Sequence, residues 1–109
     1  MASDKTLNRT SQGHPLSVGF VLLHRFTLLP FSAFVDCLRL AADEGDRSRQ
    51  LRCQWTYMAS SGDAVESSSG AAISPCQAFR HPAKFDYIVV IGGVQGERSR
   101  PDTTALAYL

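Results

Sequence analysis

The stretch Phe85-Asp86-Tyr87-Ile88-Val89-Val90-Ile91-Gly92-Gly93 decides the fold. Its five residues from Tyr87 to Ile91 are apolar without interruption, so a strand over them has no face suited to water. Tyr, Ile and Val favour strands, and the run is too short for a typical helix. The sequence therefore predicts a central parallel strand with helices on both faces, and hence an α/β fold.

The glycine pair at the end of this strand marks the candidate site. Glycine lets a backbone turn sharply and approach another segment closely. In open α/β sheets, ligands bind beyond the carboxyl ends of the strands. The sequence Gly92-Gly93-Val94-Gln95-Gly96 lacks both the G-x-G-x-x-G spacing and the Lys-Ser/Thr of a phosphate loop. We therefore expect a tight turn at Gly92 and Gly93 that forms the floor of a site, and no nucleotide site.

The composition excludes several classes of protein. The 109 residues suffice for one domain, and 44% hydrophobic residues suffice for a core. With a net charge of +1, this segment alone has no evident means of holding nucleic acid or an anionic membrane. No apolar run approaches the roughly 20 residues that span a bilayer. Residues 1–14 are polar and lack the apolar part of a secretion signal, so we expect a disordered tail.

The three cysteines, Cys37, Cys53 and Cys76, form no C-x-x-C pair. Zinc sites and thioredoxin-like chemistry therefore have no support. Free cysteine behaves as a small apolar residue, so all three are expected to be buried structural thiols. Reduced thiols without a secretion signal indicate a cytoplasmic protein.

The first half of the chain predicts a strand, a connection and a helix. Residues 16–23 are almost continuously apolar and predict a buried parallel strand. The connection 24–29 is too apolar for a solvated loop, so we expect it to pack inward or line a pocket. Residues 30–43 have apolar residues at helical spacing, with Pro30 in the first turn and Gly45 as a left-handed closing residue.

The second half predicts shorter elements. Residues 52–59 alternate and predict a strand, and 60–63 predict a turn. Residues 65–68 and 71–75 predict two short strands that pair antiparallel, and 77–85 predict a loop with one helical turn. Residues 94–100 predict a polar turn. A helix is predicted to begin at Pro101-Asp102 and to continue over 103–109.

Several of these segments carry a resemblance to a known family. Residues 18–23, followed by Phe26-Thr27-Leu28-Leu29-Pro30-Phe31-Ser32-Ala33-Phe34-Val35-Asp36-Cys37-Leu38-Arg39-Leu40-Ala41, resemble the opening of the GlxA-like AraC-type transcriptional regulators. Their sensor domain is of the ThiJ/PfpI (class I glutamine amidotransferase-like) type. Trp55, Ser67-Ser68-Ser69-Gly70 and the strand ending in Gly92-Gly93 extend the likeness over about residues 16–109. The strand is typical of the whole superfamily, whereas the helix points to the regulators.

The resemblance implies a flavodoxin-like parallel-sheet sandwich of the class I glutamine amidotransferase-like type, incomplete at its C-terminus. Residues 15–109 would be the N-terminal portion of a ThiJ/PfpI-like domain. Such regulators bind promoter DNA through two C-terminal helix-turn-helix motifs, which this chain lacks. The implied partners are a small-molecule metabolite, in some relatives a quaternary amine or an amino-acid derivative, and a second copy in a homodimer. No cofactor, metal or membrane contact is implied.

The chain departs from the catalytic members of this superfamily. Their cysteine nucleophile sits on a strand-to-helix elbow that would lie beyond residue 109. Their supporting glutamate, near the start of the first helix, corresponds to Pro30, whose side chain can neither carry a proton nor accept a hydrogen bond. The expected function is therefore non-catalytic, with no catalytic residues.

The expected ligand-binding residues lie at one end of the sheet: His24, Phe26, Thr27, Gly92, Gly93 and Val94. His14 and His81 are expected to have local roles, and triads drawn from Ser67 to Ser69 are close to chance. Two alternatives stay open. One is a truncated ThiJ/PfpI-type cysteine hydrolase or stress protein, and the other is an inert fragment of a broken gene.

Overall fold

The computed structural model describes residues 14–43, 45, 47–93 and 102–109. In chain order its elements are β1 (Leu16–Leu22), α1 (Leu28–Ala42), β2 (Cys53–Met58), β3 (Val65–Glu66), β4 (Ala72–Ile73), a 3₁₀ turn (Pro82–Lys84), β5 (Tyr87–Ile91) and α2 (Thr103–Tyr108). The expected tail 1–14, apart from His14, and the expected polar turn 94–100 lie outside the described residues, as does Pro101.

A parallel sheet with strand order β2-β1-β5 forms the centre of the fold. The pairing runs from Leu16–Cys53 to Val21–Met58 between β1 and β2. It runs from Val18–Tyr87 to Leu22–Ile91 between β1 and β5. This confirms the α/β class with a parallel sheet, which is consistent with a flavodoxin-like fold.

The predicted central position of β5 is wrong for the described residues, because β1 is the middle strand and β5 is an edge strand. Val18, Phe20 and Leu22 of β1 are fully buried, whereas Tyr87 of β5 is 62% exposed and Val90 is 40% exposed. An apolar run indicates that both faces of a strand suit a dry environment. It carries no information on how many strands pair with its edges.

Helix α1 covers one face of the sheet. Phe20 of β1 meets Phe31 and Phe34 of α1 edge to face, each with ring centroids 5.5 Å apart. Tyr57 of β2 packs on Phe31 at 5.3 Å. Aromatic pairs in this geometry add to the stabilisation from burial alone. This cluster fixes α1 over β1 and β2.

The opposite face carries a smaller cluster around Met58 and Val21, both fully buried. Helix α2 contributes Ala105 and Tyr108, and the Tyr108 ring stacks on Phe79 with centroids 4.7 Å apart. The Met58 sulfur accepts hydrogen bonds from the Arg80 backbone N–H at 3.4 Å and the Tyr108 hydroxyl at 3.9 Å. Both faces of the sheet are therefore apolar, as predicted, and α2 covers the second locally.

The end of α1 differs from the prediction. The helix closes at Asp43, which is extended (φ −150°), and Gly45 is not in a left-handed conformation. The Asp43 carboxylate accepts the Gly45 N–H at 2.9 Å and the Arg49 guanidinium at 2.7 Å. The Ala42 carbonyl accepts the Arg52 N–H at 2.9 Å. A buried carboxylate, rather than a glycine, organises this turn.

The predicted antiparallel pairing of two short strands within 65–68 and 71–75 is confirmed, because β3 and β4 pair antiparallel with Val65 opposite Ile73. The 3₁₀ turn and α2 also lie where the sequence predicts them. Cys53 and Cys76 are buried as expected, but the prediction for Cys37 is wrong, since it is exposed. Position 37 lies on the side of α1 turned away from Phe31 and Leu38, which face the sheet.

Candidate functional site

The carboxyl ends of β1 and β5 meet at one edge of the sheet, because parallel strands end on the same side. The connection from β1 to α1, residues 23–27, crosses this edge. It lies between the end of β3, at Ser67 and Ser68, and the glycine pair after β5. We call these three segments (23–27, 67–68 and 92–93) the β1–α1 edge.

Phe26 anchors the β1–α1 edge. Its backbone forms a parallel bridge to Ser67 on one side and an antiparallel bridge to Gly93 on the other. Its carbonyl accepts the Ser68 N–H at 2.9 Å. The ring is 0% exposed and lies edge-on to Phe31 at 5.6 Å. The predicted inward packing of the connection thus holds at Phe26, although Leu29 at its far end is 77% exposed.

The glycine pair contacts the connection through backbone alone. The Gly92 carbonyl accepts the Thr27 N–H at 2.8 Å. A Cβ on Gly93 would collide with the Arg25 carbonyl oxygen and would lie 3.0 Å from the Phe26 Cα. A Cβ on Gly92 would meet nothing within 4 Å. The close approach inferred from the sequence is therefore a property of Gly93, and Gly92 has room for a side chain.

Arg25 adopts a left-handed conformation, with φ at 60°. Its N–H donates to the Glu66 carbonyl at 3.0 Å, while its carbonyl faces Gly93. Non-glycine residues rarely adopt this conformation, which costs about 1–2 kcal/mol. Strain of this kind persists where the surroundings over-determine it, and it is enriched at functional sites.

The side chains of His24 and Arg25 are both exposed at this edge. An arginine guanidinium binds carboxylates through two parallel, charge-assisted hydrogen bonds. The β1–α1 edge thus offers an exposed guanidinium, from Arg25, and an exposed imidazole, from His24. This arrangement suits the binding of a small anion such as a carboxylate.

Ser67 is fully buried, and its hydroxyl is engaged in the turn that follows β3. It lies 2.9 Å from the Ser69 hydroxyl and accepts the Ala71 N–H at 3.1 Å. Gly70 completes the turn with φ at 89°. The serine-rich stretch therefore shapes the β3–β4 turn, and the Ser67 hydroxyl is directed into that turn.

Cys53 and Cys76 lack the features of a reactive nucleophile. Cys76 is buried with its Sγ 3.5 Å from the Ile73 carbonyl, and burial raises the pKa of its thiol. Cys53 starts β2 opposite Leu16, at the other end of the sheet, and burial also raises the pKa of its thiol. Reactive cysteines instead have lowered pKa values and partial exposure.

The structure brings five of the predicted site residues together: His24, Phe26, Thr27, Gly92 and Gly93. Val94 lies outside the described residues. Arg25 and Ser67 belong to the same edge but were not among the predicted site residues. The position of Arg25 between two predicted site residues was a usable signal. The pairing of Ser67 with Phe26 is a tertiary contact, and no feature of the sequence indicated it.

Within residues 14–43, 45, 47–93 and 102–109, no group of three or more His, Cys, Asp or Glu side chains is placed to hold a metal ion. In the same residues, no helix has both the length and the hydropathy needed to cross a membrane.

Comparison with known proteins relates the chain to transcriptional regulators. No family model matches it. The HTH-type transcriptional regulator GbdR of Pseudomonas aeruginosa, in strains UCBPP-PA14 and PAO1, is 33% identical over 86 residues. The match covers 79% of this chain and 23% of GbdR. The chain thus spans about a quarter of the length of these curated relatives.

A solved structure extends the comparison to the fold. The crystal structure of an AraC family transcriptional regulator from Pseudomonas putida superposes with a TM-score of 0.60 and 26% sequence identity. The superposition covers 85% of this chain and 56% of that chain. Sequence and fold therefore both support a relationship to transcriptional regulators.

Proposed function

We propose that this chain is the ligand-sensing and dimerisation portion of an AraC-type transcriptional regulator and has no catalytic activity. The observation that carries the proposal is the 33% identity to GbdR over 86 residues. We propose further that residues 15–109 form the N-terminal portion of a ThiJ/PfpI-like domain of the class I glutamine amidotransferase-like type. In the intact protein, helix-turn-helix motifs outside this chain would bind DNA in the cytoplasm.

The effector in this proposal is a small metabolite that carries a carboxylate, bound by Arg25 and His24 at the β1–α1 edge. The Arg25 N–H donates to the Glu66 carbonyl of β3, and the Thr27 N–H donates to the carbonyl of Gly92 in the glycine pair. Helix α1 begins at Leu28, one residue after this connection. A ligand that changes the conformation of Arg25 would therefore change the start of α1.

Two observations support the proposed absence of catalysis. Pro30 lies in the first turn of α1, where the resemblance places a supporting glutamate, and it offers no proton-carrying side chain. Cys76 and Cys53 have raised thiol pKa values because both are buried. The alternative, a ThiJ/PfpI-type cysteine hydrolase or stress protein, requires a nucleophile that these residues do not supply.

Thermal unfolding with added metabolites tests the sensing role. The standard amino acids supply a carboxylate. Choline is a quaternary amine without one, so it is the control for the contribution of the carboxylate. A ligand at 100 times its Kd adds about 2.7 kcal/mol to the free energy of unfolding. We expect at least one amino acid, and not choline, to raise Tm.

Substitutions identify the site of that shift. The ligand-induced rise in Tm should be lost in Arg25→Ala and reduced in His24→Ala. It should be kept in Arg80→Ala, an exposed arginine of the 77–85 loop. A shift that survives in Arg25→Ala would place the ligand elsewhere.

The catalytic alternative has its own assay. The chain is incubated with methylglyoxal and with peptide substrates, before and after alkylation by iodoacetamide. The proposal predicts no consumption above the buffer rate. Turnover that alkylation abolishes would favour the cysteine enzyme.

A further inference from the structure

Ser67 has a buried hydroxyl beside the backbone of the candidate site. The residue is fully buried, and its backbone forms a parallel bridge to Phe26, the residue after Arg25. Burying a hydroxyl costs free energy unless the hydroxyl is hydrogen-bonded. The bonds that the Ser67 hydroxyl makes therefore show which part of the chain it stabilises.

The hydroxyl and the backbone of Ser67 together close the β3–β4 turn. Ser67 Oγ accepts the Ala71 N–H at 3.1 Å, and the Ser67 N–H donates to the Ala71 carbonyl at 2.7 Å. The Ser67 carbonyl accepts the Gly70 N–H at 3.0 Å. Strands β3 and β4 have two residues each. Because a two-stranded hairpin is marginally stable by itself, the geometry of this one depends on the Ser67 bonds.

The residues on either side of Ser67 bind the backbone of the connection between β1 and α1. The Glu66 carbonyl accepts the Arg25 N–H at 3.0 Å, and the Ser68 N–H donates to the Phe26 carbonyl at 2.9 Å. Ser67 thus lies between the two hydrogen bonds that join this side of the β1–α1 edge to the connection. A change in the turn would shift both bonds together.

Arg25 depends on such contacts because its backbone is left-handed, with φ at 60°. A residue with a Cβ is more stable at negative φ, and it stays left-handed only where its surroundings impose that conformation. On the other side of the connection, Gly93 lies against the Arg25 carbonyl. The Glu66 hydrogen bond therefore fixes one end of Arg25, and the Gly93 contact fixes the other.

We propose that Ser67 is a positioning residue for effector binding. Its hydroxyl sets the geometry of the β3–β4 turn, and the turn, through Glu66, holds Arg25 in the left-handed conformation from which it binds the carboxylate of the effector. The inference rests on the proposed function for the effector, and on the hydrogen bonds above for the conformation of Arg25. Ser67 acts through Arg25, since its own side chain is buried and directed into the turn.

Nuclear magnetic resonance of the isotope-labelled 109-residue chain tests the conformation without an effector. A left-handed residue brings its amide proton close to its own Hα, which gives a strong intraresidue Overhauser effect. We expect this signal at Arg25 in the wild type and its loss in Ser67→Ala. The control Ser68→Ala removes a hydroxyl from the same turn but keeps the backbone N–H that donates to Phe26, so the signal should remain. A strong signal in Ser67→Ala would overturn the proposal.

Ser67→Cys is the second variant, for use if Ser67→Ala does not fold. A thiol fills nearly the same space as a hydroxyl but is a weak hydrogen-bond acceptor. The Overhauser effect at Arg25 should therefore weaken, while the far-UV circular dichroism stays that of the wild type. An unchanged signal in Ser67→Cys would count against the role of the hydroxyl.

Double variants measure the same coupling by stability. While residue 25 is left-handed, Arg25→Gly should melt at a higher temperature than Arg25→Ala, because glycine adopts positive φ without a steric cost. In the Ser67→Ala background, we expect this difference in Tm to disappear. A glycine advantage of the same size in both backgrounds would show that Ser67 does not hold residue 25.

Binding of the standard amino acids, followed by Tm over a range of concentrations, tests the effect on the site. The Kd of the amino acid that binds the wild type most tightly should rise about tenfold in Ser67→Ala, because only a minor fraction of the chains would then have Arg25 left-handed. It should stay unchanged in Ser68→Ala. An unchanged Kd in Ser67→Ala, with the Overhauser effect lost, would overturn the positioning role in binding.

These outcomes separate the inference from the proposed function. If no amino acid raises the Tm of the wild type, the proposed effector is wrong and no positioning role in its binding remains. The Overhauser effect at Arg25 then still decides whether the Ser67 hydroxyl holds the left-handed conformation. If an amino acid binds and Ser67→Ala keeps both the Overhauser effect and the Kd, only the inference about Ser67 is wrong.

Discussion

Gly93 lies against the backbone of Arg25 so closely that no side chain fits between them. This contact joins the end of β5 to the connection that follows β1, and with it the two halves of the candidate site. Its counterpart on the other side of the connection is the hydrogen bond from the Arg25 N–H to the Glu66 carbonyl. The connection is thus held between two parts of the chain that are distant in sequence.

The first prediction concerns the glycine pair. Gly93→Ala should destabilise the fold by about 3 kcal/mol, because the new methyl group would meet backbone atoms that cannot rotate away. Gly92→Ala is the matched control, and its free energy of unfolding should stay within about 1 kcal/mol of the wild type. Urea denaturation of both variants measures the difference. Equal effects would show that the contact with Arg25 does not constrain Gly93.

The second prediction concerns the left-handed conformation of Arg25. Arg25→Gly removes the steric cost of φ near 60°, whereas Arg25→Ala removes the side chain and keeps that cost. We expect the glycine variant to be more stable than the alanine variant by about 1 kcal/mol. Thermal unfolding without ligand makes the comparison. If alanine were the more stable, Arg25 would not be left-handed in solution.

The third prediction concerns acid stability. The hydrogen-bonded guanidinium of Arg49 lowers the pKa of Asp43 from 3.8 to about 2, so folding favours the ionised carboxylate. Its contribution is therefore complete above the unfolded pKa and is lost as the pH falls through about 2. The stability difference between the wild type and Asp43→Asn should be largest near neutral pH and shrink towards pH 2.

The control for that experiment is Asp36→Asn, which removes an exposed carboxylate of α1. The ion pair between Asp36 and Arg39 spans 3.6 Å. Its effect at neutral pH should be within about 0.5 kcal/mol. A difference for Asp43→Asn that stays constant from neutral pH to pH 2 would mean that the Arg49 pair does not stabilise the ionised form.

The fourth prediction concerns Phe26. Its ring is completely buried against Phe31, so Phe26→Ala should cost about 3–5 kcal/mol. Tyr87→Ala, an aromatic truncation at an exposed position, should cost less than about 1 kcal/mol. Guanidinium denaturation of the two variants is the measurement. Comparable losses would contradict the role of Phe26 as the anchor of the β1–α1 edge.

Most elements of the fold were predictable because their signals are local. The apolar run of β1, the helical spacing in α1 and the paired short strands at 65–66 and 72–73 each depend on residues close together in sequence. The strand order was not predictable in this way. The same apolar pattern that suits a central strand is present in β5, which is an edge strand within the described residues.

Local sequence signals also gave a wrong prediction at the end of α1, where a side chain closes the helix instead of a left-handed glycine. Gly45 was expected to close α1, but the Asp43 carboxylate closes it through Arg49, six residues further on. Cys37 was assigned to the core by its residue type, although its helical position turns it outward. At the site, Gly93 could be inferred from sequence, whereas the left-handed Arg25 depends on tertiary contacts with Glu66 and Gly93.

The central claim is that this chain is the sensing portion of a transcriptional regulator, and sequencing the messenger RNA that encodes it tests this most directly. We predict that the reading frame containing Leu109 continues into a segment with two helix-turn-helix motifs. A continuation with a cysteine on a strand-to-helix elbow, followed by a stop codon and no helix-turn-helix motif, would contradict the claim and favour the cysteine enzyme.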